Sequence, residues 1–156
     1  MASRLVIASL ALATFGLPIQ AFATGSLECV IADDNLDFAF HSLFNYTGAA
    51  PLFQLGGEFA SKVPSTVASL KKFEIVDTDL KQQWFEGKDL KLKFYKETSG
   101  DKEPFGAVEL TIETATSDED ETSYAGTYRL EVTPEPKPDV ETVPVKLEGK
   151  VACSAG

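Results

Sequence analysis

Residues 90–95 read Leu-Lys-Leu-Lys-Phe-Tyr, residues 108–113 read Val-Glu-Leu-Thr-Ile-Glu, and residues 127–132 read Thr-Tyr-Arg-Leu-Glu-Val. Apolar and polar side chains alternate in all three, the period of a strand with one buried and one wet face. Leu90, Leu92 and Phe94 share one side of the first, Val108, Leu110 and Ile112 of the second, and Tyr128, Leu130 and Val132 of the third. Segments of turn composition, 99–104 and 117–122, separate them, so the spacing predicts an antiparallel meander. On its wet face a lysine-bearing strand lies beside a glutamate-bearing one, and each such cross-strand pair is worth about 0.2–1 kcal/mol.

The same alternation extends towards both ends. Leu27, Cys29 and Ile31 share a parity, and so do Leu36, Phe38 and Phe40 beyond the Asp33-Asp34-Asn35 turn. Phe53, Leu55 and Phe59 continue it around Gly56-Gly57, a pair that predicts a bulge or sharp bend. The last strand carries Val143, Val145, Leu147, Val151 and Cys153 on one side. The expectation is an all-β domain, an antiparallel β-sandwich or closed β-barrel of about seven to nine strands.

Two segments break the pattern. Residues 65–72 follow Pro64 and suit a short helix or turn. Residues 79–86 place Leu80 and Trp84 at helical spacing, with Gly87 as a helix stop. Residues 133–144 hold Pro134, Pro136, Pro138 and Pro144, which predicts a stiff, extended crossover to the last strand.

At the start, Arg4 precedes an apolar run over residues 5–17, then Pro18 and Ala21-Phe22-Ala23. These are the parts of a secretory signal peptide, with cleavage expected after Ala23, so residues 24–156 form a single exported domain, periplasmic or extracellular. The run is short for a membrane span, and no long apolar segment follows it, so no membrane insertion is expected after cleavage. Cleavage removes Arg4 and no acidic residue, leaving a charge one unit more negative than the −10 of the full chain. Such a charge repels nucleic acid and anionic lipid and steers a basic protein.

The only two cysteines, Cys29 and Cys153, lie near the two ends of the exported domain. An oxidising compartment and a single possible partner predict one disulfide linking the first and last strands. The only methionine is Met1, so the core is expected to be branched aliphatics and phenylalanine.

No catalytic constellation stands out. His41 is the only histidine, its neighbour Ser42 points to the opposite face of a strand, and no G-x-S-x-G elbow occurs. Carboxylates are plentiful, yet no acid–base pair is singled out. The run Asp118-Glu119-Asp120-Glu121 and the looser group Asp33, Asp34, Asn35 and Asp37 contain calcium-type ligands but lack EF-hand spacing, and both read as solvated turns. Neither enzyme activity, a metal nor a cofactor is therefore expected. Asn45-Tyr46-Thr47 is a glycosylation sequon, meaningful only in a eukaryotic source.

The aromatic residues Trp84, Phe85, Tyr95 and Tyr124 are the candidate binding surface. The expected function is a non-enzymatic binding module for a protein or a saccharide. Its sharper form is an inhibitor of a secreted hydrolase, because small, acidic, disulfide-closed β domains resemble exported lysozyme inhibitors in general character. The alternative is a lipocalin-like barrel that carries a small apolar ligand.

Overall fold

The computed structural model describes residues 24–45, 52–98, 103–117 and 119–156; the proposed signal peptide lies outside them. Among the described residues there are nine strands: β1 (Thr24–Ala32), β2 (Leu36–Asn45), β3 (Phe53–Ser61), β4 (Lys72–Glu74), β5 (Leu80–Glu86), β6 (Asp89–Glu97), β7 (Ala107–Thr116), β8 (Ser123–Thr133) and β9 (Val145–Ala155). They form one antiparallel sheet in the order β4-β3-β2-β1-β9-β8-β7-β6-β5.

Strands adjacent in the chain are therefore adjacent in the sheet, with one exception. β4 and β5 follow one another in sequence yet form the two edges, and the ring is joined instead where β1 meets β9. The all-β expectation holds, in the form of a single sheet curled into a half-barrel.

Curling brings the inner faces of the two halves together. Phe38 and Phe40 of β2 meet the edge of Phe94 on β6 at centroid distances of 5.3 and 5.0 Å, and Phe44 of β2 meets Phe85 of β5 at 4.8 Å. Leu27, Leu36, Leu90, Leu110, Ile112 and Leu130 are fully buried beside them. One gap between the packed faces, bounded by Phe38, Phe59, Phe94 and Leu110 among others, is about 10 Å³, hardly enough for one water.

The seam between first and last strands is short. β1 and β9 pair over four positions, from Leu27↔Ala155 to Val30↔Ala152, whereas β1 and β2 pair over nine. Cys29 and Cys153 are direct partners in that short ladder, with Cα atoms 4.0 Å apart and their sulfurs bonded. Both side chains point inward, as the strand parities predict.

The other junction, between β4 and β5, is bridged by side chains. Ile75 N donates to Gly57 O and Leu55 N to Asp77 Oδ1, so the connecting segment caps the free edge of β3. Asp79, only 6% exposed, accepts from Lys96 Nζ at 2.8 Å and from Val76 N. That ammonium also lies 4.5 Å from the centre of the Phe73 ring on β4.

Two expectations are corrected here. Of the predicted helix over residues 79–86, Asp79 ends a 3₁₀ turn (Asp77–Asp79) and the rest is strand β5. Gly87, at φ 60°, makes a two-residue hairpin turn to β6, and Phe85 gains more by packing inward than the Leu80/Trp84 spacing gains from a helix too short to stand alone. The proline-rich segment is not extended throughout: Val140 N donates to Lys137 O across a turn with Asp139 at φ 59°, and the segment joins the neighbouring strands β8 and β9 and crosses nothing, with Val143 in the connection and 65% exposed. Residues 65–72 hold a single 3₁₀ turn, Ala68–Leu70. The Gly56-Gly57 pair accompanies a register shift between β2 and β3; a Cβ on Gly57 would lie 2.1 Å from Ala39 O.

Candidate functional site

The four proposed surface aromatics fall in different places. Trp84 and Phe85, neighbours on β5, point to opposite faces: Phe85 inward against Phe44 and Tyr124, Trp84 outward and 54% exposed. Tyr124, expected outside the core, is buried at 5% exposure because it starts β8 on the inward parity, opposite Cys153. With Phe44 and Phe85 it helps line a cleft of about 610 Å³ at one end of the half-barrel. Tyr95 stands on the outer face beside Glu109 and donates its hydroxyl to Glu97 Oε2 at 2.6 Å. That bond, with burial and the Glu97 and Glu109 charges, holds the phenol above its ordinary pKa.

Trp84 has the most developed surroundings. Because β5 is an edge strand, its outward residues have a sheet neighbour on one side only. A groove of about 780 Å³ runs there, over the outer faces of β5, β6 and β7. The register sets Trp84 beside Lys91, and Lys91 beside Glu113; one row along, Gln82 lies beside Lys93, and Lys93 beside Thr111. Lys81, also lining the groove, donates from Nζ to Thr78 O at 2.7 Å. Lys93 Nζ is 2.9 Å from Glu109 Oε1. The polar partners Gln82, Lys91, Lys93, Thr111 and Glu113 were absent from the sequence expectation. Their signal was the wet parity of β6 and β7, but only β5 read as a strand puts Trp84 in register with it.

The acidic candidates have structural duties. Asp33 accepts from Tyr128, from the backbone N–H groups of Asn35 and Leu36, and feels the Lys62 charge. Burial works to raise its pKa, and these contacts together outweigh it and hold the carboxyl below its usual range. Asp37 pairs with Lys62 at 2.7 Å. Asp120 accepts from Ser123 N and from both the hydroxyl and the N–H of Thr122; the Ser123 side chain first, then these contacts, lower its pKa to about 2. Its run-mate Asp118 lies outside the described residues, as do Tyr46 and Thr47 of the sequon. Among the described residues no three His, Cys, Asp or Glu side chains gather as a metal site. His41 is exposed on β2, opposite Gly56; a Cβ at Gly56 would lie 2.6 Å from the imidazole Nε2.

Comparison with known proteins finds no family model that matches the chain, and no curated protein or solved structure that is similar to it.

Proposed function

We propose that this is an exported, non-enzymatic binding module that engages a protein or a saccharide through the groove beside Trp84. One observation carries the reading: the chain's single tryptophan is 54% exposed over an outer groove of about 780 Å³. A large aromatic left in water at a sheet edge costs burial energy that the fold does not recover, which favours recognition as its role. The disulfide fits export, and among the described residues no helix is long and apolar enough to cross a membrane.

As the sole tryptophan, Trp84 reports occupancy of the groove directly through its emission. The reading expects a blue shift or quench with a protein or oligosaccharide ligand, and loss of binding by calorimetry in Trp84→Ala at a nearly unchanged melting temperature. A ligand bound equally well by Trp84→Ala would overturn it.

A further inference from the structure

Resting on that reading, we infer that the groove takes an uncharged oligosaccharide. The indole of Trp84 offers a flat apolar face in water, the surface on which the C–H face of a pyranose ring stacks. Around it, hydrogen-bonding groups of both kinds alternate along the sheet. Lys91 is a donor and Glu113 an acceptor in one row; Gln82 and Thr111, each donor and acceptor, flank Lys93 in the next. A sugar hydroxyl both donates and accepts, so a surface with interleaved donors and acceptors matches a polyol better than it matches an ion.

Charge narrows the class further. Lys93 is neutralised by Glu109 at 2.9 Å, and Lys91 is the cross-strand partner of Glu113. The groove therefore shows no strong excess of either sign, although the chain as a whole carries −10. A polyanion would be repelled by that net charge, and a groove of balanced sign gives a polycation no local excess of carboxylates to hold it. A protein contact of the usual kind would bring an apolar centre, but the sheet neighbours of Trp84 on the outer face are polar. Three strands about 4.8 Å apart give a platform roughly 10 Å across, room for two or three sugar rings. The β5–β6–β7 ladders hold that platform rigid before binding.

The test is a Trp84 emission titration with four neutral hexasaccharides (β-1,4-glucan, α-1,4-glucan, β-1,4-mannan and β-1,4-linked N-acetylglucosamine), with hexagalacturonate and hexalysine as charged controls. At least one neutral oligomer is expected to shift the emission, with affinity changed less than about twofold between 0.05 and 0.5 M NaCl, as expected for binding without net charge. Gln82→Ala and Glu113→Gln should each weaken it several-fold at an unchanged melting temperature. Silence from all four neutral oligomers, or a response only to a charged one that high salt abolishes, overturns the inference. If a purified protein partner shifts Trp84 emission while every neutral sugar fails, the binding-module reading survives and the saccharide assignment falls. If neither kind of ligand moves it, both fall.

Discussion

The hydroxyl of Tyr128, on β8, donates to Asp33 Oδ2 at 2.5 Å, reaching past β9 to the turn between β1 and β2. Tyr128 lies opposite Gly149, and the missing side chain there leaves room for the ring to pass. Asn35 Nδ2 donates to the same phenolic oxygen at 3.3 Å. The β1–β9 ladder ends at Val30↔Ala152, so this contact ties the two halves together beyond the last paired residues.

Tyr128→Phe should lower stability by about 1–2 kcal/mol near neutral pH, because Asp33 loses its phenolic donor. Burial first, then the Asp33 bond, push the Tyr128 pKa from 10.0 up to about 12. The phenol's contribution is therefore complete below pH 10 and drains away as pH rises towards 12, a loss on the order of 2 kcal/mol. Asp33 has the opposite sign: its lowered pKa gives stability at neutral pH that is lost as acid protonates it. Urea titrations from pH 3 to 11 should show the alkaline decline in the native protein and a flatter profile in Tyr128→Phe.

Gly149→Ala tests the same latch from beneath. A Cβ there would lie 2.5 Å from Tyr128 Cε1 and 2.7 Å from Asp33 Oδ2, so the ring or the turn must shift. A cost of about 2 kcal/mol is expected from overpacking. Combined with Tyr128→Phe, the two losses should be far from additive, and thermal melts of the three variants decide it.

Reduction of the Cys29–Cys153 bond, or Cys29→Ser with Cys153→Ser, should cost on the order of 4–5 kcal/mol for a loop closed over a separation of 124 residues. The oxidised protein should show no titratable thiol. Two reactive thiols in the unreduced, denatured protein would refute the bridge.

Lys96→Met should be costly, about 2–4 kcal/mol, since Asp79 is nearly buried and would keep only the Val76 N–H. A double-mutant cycle with Asp79→Asn should give a coupling above 1 kcal/mol. The exposed Arg129–Glu148 pair, at 3.0 Å, should give well under 1 kcal/mol in the same assay.

Ser42→Ala should leave stability unchanged or raise it by about 1 kcal/mol. Ser42 is 2% exposed on the inward face of β2, and its Oγ has no hydrogen-bond partner. A chemical-denaturation midpoint that falls by more than 0.3 M urea would show a hidden role for the hydroxyl.

Alternation around Leu92, Leu110 and Leu130 made the long strands legible, because each has one face in water and one in the core. Cys29 and Cys153 were legible as a pair by compartment and as inward by parity. Two kinds of feature were not legible. The curl of the sheet depends on long-range contacts such as Phe44 with Phe85, which strand periodicity does not encode. β5 was misread because an edge strand leaves Gln82 and Trp84 in water and so lacks a clean alternation. That one error hid the row Trp84, Lys91, Glu113, and with it the polar half of the groove.

The sheet order has a consequence for how the chain becomes itself. Every ladder except β1–β9 joins strands that follow one another, so two ribbons, β1–β4 and β5–β9, can each zip from local turns. Until β9 arrives, β1 is an open edge whose backbone groups invite any stray strand. Pairing with β9 covers that edge, and the bond between Cys29 and Cys153 in the same short ladder keeps the two ribbons from parting again.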